Sequence, residues 1–228
     1  MNKPQVDELY HLLRVVSNGN MPTEEFARTG LTQREVHRIF HGLSRHLLAG
    51  GDYEALIQFS AYYGTRFLLK PACEAIVKTG WKPRRIVEFG AGLGWLGRGV
   101  SGSLELVPCL FVDKRHWALI DIIADLETDQ GVEEVITVMK DGDLIVAKDF
   151  LHCLDDPKDV MSQFSKWPMA ILEYCPTNEG YAESYITQLR RYGAKPFLPE
   201  EFKDMFPDRA VDIVDLDPYI LLLVEAEK

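Results

Sequence analysis

A glycine-rich turn is the part of this sequence best suited to holding a ligand. Residues 85–89 (Arg-Ile-Val-Glu-Phe) predict a short buried strand, and Gly90, Gly92 and Gly94 follow at every second position before a predicted helix. Glycine has no Cβ, so its backbone N–H groups can approach a ligand that other residues would push away. Glu88 adds a carboxylate just before the turn. We therefore expect a ligand to bind against this turn.

The turn resembles the first motif of class I S-adenosylmethionine (SAM)-dependent methyltransferases, in which a strand is followed by E/D-x-G-x-G-x-G. In that family the loop wraps the methionine end of SAM, and the acidic residue lies close to the ligand. The resemblance therefore implies that Glu88, Gly90, Gly92 and Gly94 bind SAM, and that S-adenosylhomocysteine (SAH) is the product.

A dinucleotide cofactor is the alternative ligand for the same turn. Residues 92–97 (Gly-Leu-Gly-Trp-Leu-Gly) match the fingerprint G-x-G-x-x-G, and Asp113 follows at about the expected distance. In a dinucleotide site, however, the first glycine closes the strand directly, which would make it Gly90. Trp95 then stands where that register needs a glycine. The methyltransferase register needs no such adjustment, and we favour it over both a nucleotide oxidoreductase and an ordinary strand-to-helix turn.

Composition and charge favour a globular protein that acts on small molecules. The 228 residues are 46% hydrophobic, which suits one sizeable α/β domain with an appendage. No 20-residue apolar run or signal pattern occurs, so we expect a cytoplasmic protein without membrane association. Residues 81–228 contain 16 Lys/Arg against 27 Asp/Glu, a charge that would repel nucleic acid.

The hydrophobic periodicity divides the chain at about residue 80. Residues 1–80 predict helices throughout, and we interpret them as a cap or lid over a SAM-binding domain at 81–228. From residue 85 strands and helices alternate, as in a parallel sheet with crossover helices. The resemblance implies a doubly wound, mostly parallel, seven-stranded Rossmann-like sheet with an antiparallel C-terminal strand. We predict its strands at 85–89, 108–113, 121–125, 143–149, 169–174, 211–214 and 219–224.

Acidic residues after the second and third predicted strands suit the adenosine part of SAM. Asp113 ends the second strand, where a carboxylate can accept both ribose hydroxyls; the alternative is that it caps the following segment. The run Ala-Asp125-Leu126-Glu resembles the end of the family's third strand, whose Asp meets the adenine amino group. If residues 115–127 were instead helical and 135–139 the strand, Asp141 or Asp143 would be the adenine contact.

The segment after the fourth predicted strand resembles a stretch common in family members that act on small molecules, D-x-V-x-x-x-x-x-L-H-x-L-x-D-P. The resemblance implies that Asp149 and Phe150 face the SAM pocket and that His152 begins the next turn. If the acceptor is a hydroxyl, a base must take its proton, and imidazole titrates in the right range. His152 is our first candidate for that base and Asp149 the second; the alternative is a purely structural turn residue.

Two further groups of residues are candidates for binding the acceptor. Glu173 and Tyr174 end the fifth predicted strand, whose carboxyl end lines the same crevice. Tyr62, Tyr63 and Arg66 lie in the helical part, which in the family often covers SAM and acceptor. An aromatic pair with an arginine suits a planar or anionic ligand, although core packing of the tyrosines is an equally simple interpretation.

Together these features predict a SAM-dependent methyltransferase that transfers a methyl group to a small molecule by in-line displacement. We expect no metal site, because the histidines within residues 37–46 lie among arginines that would repel a cation. A homodimer through the N-terminal helices is a further hypothesis. The competing functions are an NAD(P)-dependent oxidoreductase, a non-catalytic SAM-binding protein, and a methyltransferase acting on a protein or RNA.

Overall fold

The structure is a computed structural model that describes residues 69–92, 94–115, 120–175, 197, 199–216 and 219–227. All of these residues belong to one compact unit, 68–228. Residues 1–68 and 176–196 lie outside the described part, and with them all of the predicted helical cap except residues 69–80. The division of the chain at residue 80 therefore stays a prediction.

The described part is an α/β domain built around one seven-stranded sheet. The strand order is β3-β2-β1-β4-β5-β7-β6. Strands β1 to β5 are parallel, whereas β7 is antiparallel to both β5 and β6. The strands are β1 Arg85–Phe89, β2 Cys109–Asp113, β3 Ile122–Ile123, β4 Asp143–Lys148, β5 Met169–Tyr174, β6 Val211–Asp215 and β7 Tyr219–Val224. The helices are α1 Lys70–Lys78, α2 Trp95–Ser103, α3 Asp129–Val138, α4 Pro157–Ser162 and α5 Pro199–Asp204, with a 3-10 turn at Leu151–Cys153.

The two faces of β1 have different chemical roles. Successive side chains of a strand point to opposite faces of the sheet. Val87 and Phe89 lie in the main hydrophobic core, where the Phe89 and Phe164 ring centroids are 4.7 Å apart. Glu88 points to the other face, where its carboxylate reaches the first turn of α2. Core packing on one face and a buried polar contact on the other therefore fix the strand that leads into the glycine turn.

An ion pair joins the N-terminal ends of the central strands β1 and β4. Arg85, the first residue of β1, donates to both carboxylate oxygens of Asp143, the first residue of β4, at 3.1 and 2.5 Å. Its guanidinium also donates to the carbonyl oxygen of Val138 at 2.7 Å. Bidentate pairs of this kind fix geometry as well as adding energy. This contact sets the register in which β1 and β4 run side by side.

The sheet confirms the predicted fold class and its antiparallel C-terminal strand. The third strand is shorter than predicted, at 122–123 instead of 121–125. Just before β3, the Asp121 carboxylate accepts the backbone N–H of Phe111 in β2. The alternative with a strand at 135–139 is wrong, because these residues lie in and just after α3, which Thr128 caps by accepting the N–H of Gly131.

Among the described residues, no helix combines the length and apolar composition needed to cross a membrane.

Replacing Phe164 by alanine tests this description of the core. Its ring is fully buried and contacts the rings of Phe89 and Trp167. We expect Phe164→Ala to lower the free energy of unfolding by about 3–5 kcal/mol, because the lost burial is accompanied by a cavity. Urea denaturation would measure the change. The neighbouring exposed residue supplies the control, Gln163→Ala, and an equally small effect of both substitutions would contradict the assignment of Phe164 to the core.

Candidate active site

The candidate site lies at the carboxyl edge of the parallel strands. The chain passes from β1 toward β2 on one side and from β4 toward β5 on the other, so the strand order reverses between β1 and β4. In open α/β sheets, ligands bind in the crevice outside this point of reversal. The glycine turn follows β1, and the segment with Asp149 and His152 follows β4, so both predicted regions meet at the crevice.

All three glycines of the turn have a left-handed backbone, and two of them also have no room for a side chain. Gly90, Gly92 and Gly94 have φ angles of +59°, +51° and +67°, a conformation that other residues rarely adopt. A Cβ on Gly90 would lie 2.7 Å from the Phe150 ring, and a Cβ on Gly94 would lie 2.7 Å from the Phe111 ring. At Gly92, by contrast, none of the residues that the structure describes lies within 4 Å of the place of a Cβ. The turn is therefore packed from beneath and open at its middle glycine.

Glu88 is buried beneath this turn. Its Oε2 accepts the backbone N–H of Gly97 at 2.9 Å, and a Cβ on Gly97 would lie 2.6 Å from that oxygen. Burial raises the pKa of Glu88 to about 8, although the N–H groups of Gly97 and Leu96 and the charges of Lys148 and Arg98 oppose the rise. In this structure the carboxyl group therefore supports the start of α2 from within the protein. A direct contact of Glu88 with SAM stays a prediction.

Asp113 links the end of β2 to the glycine turn. Its Oδ2 accepts the N–H of Gly92 at 2.9 Å, and its Oδ1 accepts the N–H of Arg115 at 2.8 Å. The second bond is the capping role that the sequence offered as an alternative. The bond to Gly92 brings the Asp113 carboxylate next to the middle glycine of the turn. A carboxylate that accepts the ribose hydroxyls of SAM is expected beside this turn.

Asp125 and Leu126 follow β3 at the same edge of the sheet. Asp125 is exposed and accepts the N–H of Glu127, whereas the Leu126 side chain is buried in the core. Asp143 begins β4 at the opposite edge, and Asp141 lies in the turn just before it, so neither can be the adenine contact. Glu127, which the sequence did not single out, joins two loops: it accepts from Lys114 at 3.3 Å and from the Asp155 N–H at 2.7 Å.

His152 and Glu173 form a buried pair at the ends of β4 and β5. Glu173 is 1% exposed, and its Oε1 accepts the N–H groups of Phe150 and Leu151 at 2.7 and 2.6 Å. Its Oε2 lies 2.7 Å from His152 Nδ1. Because a carboxylate can only accept hydrogen bonds, Nδ1 is the donor and Nε2 is the nitrogen left to exchange a proton. Glu173 thus orients the imidazole from within the protein, a role different from the predicted contact with the acceptor.

The pKa of His152 lies well above its ordinary value. Burial works in the opposite direction, but it is outweighed by the charge of Glu173, by hydrogen bonds with Cys153 and Glu173, and by the charge of Asp149. The ligand-free protein therefore holds the second imidazole proton of His152 more tightly than an ordinary histidine does. The imidazole becomes a base only when that proton leaves.

Asp149 has an unusual backbone and an unusual environment. Its φ is +51°, which is uncommon for a residue other than glycine. Its Oδ2 forms an ion pair with Lys148 and accepts from the Tyr219 hydroxyl at 3.2 Å, while the Lys148 ammonium lies 5.2 Å from the centre of the Tyr219 ring. The buried Oδ1 has no hydrogen-bond partner among the described residues. One carboxylate oxygen of Asp149, one carboxylate oxygen of Glu173 and one imidazole nitrogen of His152 all lie within 4.8 Å of one another.

The structure thus brings most predicted residues together and adds two. Phe150 packs on Gly90 and joins the β4 segment to the glycine turn. The sequence analysis did not single out Lys148 or Tyr219. Lys148 is the last residue of β4 and could have been found in the sequence from its place at the end of a predicted strand. Tyr219 comes from the distant strand β7. Tyr62, Tyr63, Arg66 and the Tyr174 side chain lie outside the described part, so their roles stay predictions.

Comparison with known proteins places the fold among methyltransferases. Neither a protein-family model nor a curated protein matches the sequence. Among solved structures, the chain is similar to an O-methyltransferase family protein from Burkholderia thailandensis, with a TM-score of 0.59 and 12% identity over 77% of this chain and 60% of that one. The chain is also similar to human N-acetylserotonin methyltransferase, solved with SAM, with a TM-score of 0.54 and 14% identity over 96% of this chain and 67% of that one. For the mitomycin 7-O-methyltransferase MmcR the TM-score is 0.53, with 13% identity over 97% of this chain and 67% of that one.

At these identities the comparison establishes the fold and not the activity. The domain has the Rossmann-like fold of class I SAM-dependent methyltransferases, as the glycine motif had indicated. The chain spans 60% of the length of the Burkholderia structure.

Glu88→Gln tests the buried carboxyl group beneath the turn. In the unfolded chain Glu88 ionises near pH 4.5, whereas the folded protein holds the proton up to about pH 8. The wild-type protein therefore loses stability as pH rises through this window, and a glutamine, which has no proton to lose, does not. We expect the stability of Glu88→Gln relative to wild type to increase by at least about 1.4 kcal/mol, the value of one pKa unit, between pH 5 and pH 8.5.

Urea denaturation at the two pH values would measure this difference. The exposed Glu105→Gln serves as the control, for which we expect no such change. A Glu88→Gln effect of equal size at both pH values would show that Glu88 ionises normally in the folded protein.

Proposed function

We propose that this protein is a SAM-dependent methyltransferase that acts on a hydroxyl group of a small molecule. The observation that carries the proposal is the His152–Glu173 pair, set at the carboxyl edge of a methyltransferase fold and close to its glycine turn. A buried carboxylate that orients an imidazole is a common arrangement for general-base catalysis.

The residues of the turn fit the cofactor that the fold implies. The open side of Gly92 leaves room for a ligand, and the packed Gly90 and Gly94 hold the turn in shape. In the proposal, backbone groups of the turn hold the methionine end of SAM, Asp113 accepts the ribose hydroxyls, and Asp125 and the Leu126 backbone meet the adenine. When bound, SAM supplies a methyl group that its positively charged sulfur has already activated.

His152 then has one chemical task, which is to take the proton of the acceptor hydroxyl at Nε2. Glu173 holds the ring through Nδ1 and stabilises the imidazolium that results. The rest of the catalytic effect comes from alignment of the acceptor oxygen with the methyl group, since placing two reactants correctly removes much of the entropic barrier. Hydroxyl acceptors are favoured over thiolates or amines because those acceptors need less help from a base.

Thermal unfolding with SAM, SAH, NAD and NADP tests the cofactor. A ligand that binds only the folded state at about 100-fold over its dissociation constant adds about 2.7 kcal/mol, which raises the melting temperature by a few degrees. We expect protection by SAM and SAH alone. Asp113→Ala is the site control and should weaken SAM binding by about 1–3 kcal/mol. Protection by NAD or NADP instead would identify a nucleotide oxidoreductase.

His152→Gln and Glu173→Gln test the base with any small hydroxylated acceptor that the protein methylates. Because the pKa of His152 is raised in the ligand-free protein, kcat/KM for SAM should increase with pH until that pKa is passed. Loss of the Glu173 charge should shift this increase to lower pH, and loss of the imidazole should reduce turnover about 10²- to 10⁴-fold. SAH affinity, measured by calorimetry, should hardly change. Full turnover by His152→Gln would exclude His152 as the base.

A further inference from the structure

The polar cluster around His152 contains two acids and two cations in separate pairs. Asp149 is paired with Lys148, and Glu173 is paired with His152. The two acids are close enough that each places an oxygen within 4.8 Å of an imidazole nitrogen. With His152 protonated, the four groups are electrically balanced. This balance depends on the second imidazole proton of His152.

The groups that face His152 come from three directions among the described residues. Strand β5 contributes Glu173, and the turn after β4 contributes Asp149 and the thiol of Cys153. Strand β7 contributes Tyr219, whose hydroxyl donates to Asp149. The fourth charged group, Lys148, is held by Asp149 and lies over the Tyr219 ring. A third positive charge brought into this cluster would therefore repel the His152 imidazolium, which can lose its own charge by releasing a proton.

The glycine turn brings the cofactor site against this cluster. Phe150 packs on Gly90 so closely that a Cβ there would lie 2.7 Å from the ring, and Phe150 stands between Asp149 and His152 in the sequence. Its backbone N–H donates to Glu173. Like charges a few ångström apart in a protein interior shift a protonation equilibrium by about 10- to 100-fold.

We propose that SAM binding displaces a proton from His152 Nε2 to solvent, whereas SAH binding leaves that proton in place. This inference rests on the proposed function, since it needs SAM in the glycine turn. SAM and SAH share the same carboxylate, amine and nucleoside, and they differ in the charge on sulfur. His152 would then discriminate the substrate from the product by charge alone.

Protons balance over one catalytic cycle of the proposed reaction. In the loaded state His152 has a free electron pair at Nε2, which accepts the proton as the acceptor O–H bond breaks. The new O–CH₃ bond replaces the S–CH₃ bond, whose electron pair stays on sulfur and makes it neutral. His152 ends protonated beside neutral SAH, which is the state of the ligand-free protein. The base is thus available only while the methyl donor is bound.

Isothermal titration calorimetry of the intact protein at pH 7 measures this proton directly. Binding enthalpies of SAM and of SAH are recorded in phosphate and in Tris, whose ionisation enthalpies differ, and the difference between buffers gives the number of protons released. We expect SAM to release up to one proton more than SAH. Groups shared by the two ligands cancel in this comparison.

Three variants connect the proton to the cluster. In His152→Gln the difference between SAM and SAH should vanish while both ligands still bind. In Asp149→Asn it should shrink, because a cluster with one acid fewer holds the His152 proton less strongly. The matched control is Asp141→Asn, an exposed acid at the opposite edge of the sheet, which should release protons as the wild type does.

Nitrogen NMR of the histidine side chains gives a second readout. It is recorded on the wild-type protein, so it does not depend on whether a variant folds. The His152 Nε2 signal should be that of a neutral imidazole with SAM and of an imidazolium with SAH. Equal proton release by SAM and SAH in the wild-type protein would overturn the inference and leave the proposed function intact. A difference that persists in His152→Gln would do the same. Failure of both ligands to bind would overturn the proposed function and the inference with it.

Discussion

The buried carboxylate of Glu173 is the group on which the geometry of the site depends most. It ends a central strand, and it accepts two backbone N–H groups of the turn after β4 and the Nδ1 proton of His152. A carboxylate with no access to water must have such partners, because unpaired it would cost several kcal/mol. One side chain therefore shapes the turn, selects the tautomer of the imidazole and decides where its second nitrogen can act.

The glycine turn depends in a similar way on a second buried acid. Glu88 lies on the face of β1 opposite the hydrophobic core and supports the first turn of α2 through the N–H of Gly97. The open face of the turn is left for a ligand, while Phe150 and Phe111 fill the space beneath Gly90 and Gly94. Phe150 belongs to the same turn that Glu173 holds, so the two acids constrain one continuous surface from either side of the point where the strand order reverses.

The charges of this surface suggest how a methyltransferase could keep its base inactive until it is needed. A protein that methylates hydroxyl groups needs a base for the hydroxyl proton, yet an imidazole placed between two acids holds its own proton. In the proposed function these requirements agree, because the positive cofactor provides the charge that the proton provides in its absence. Lys148 and Tyr219 take part by holding Asp149, whose left-handed backbone is a strain of the kind found at functional sites.

Local chemistry in the sequence determined the class of fold and the approximate place of the site. The glycine spacing after residues 85–89, the acids at strand ends and the alternation of apolar runs are all short-range signals, and six of the seven predicted strands begin and end within one residue of the observed ones. Only tertiary structure decided what those acids do. Glu173 looked like an acceptor contact, but burial and three hydrogen-bond donors make it the partner of His152. Tyr219 could not be found in the sequence, because it approaches Asp149 from 70 residues away through an antiparallel strand pairing. Spacing along the chain predicts which groups reach an edge of the sheet, whereas burial and long-range contacts determine their protonation and their partners.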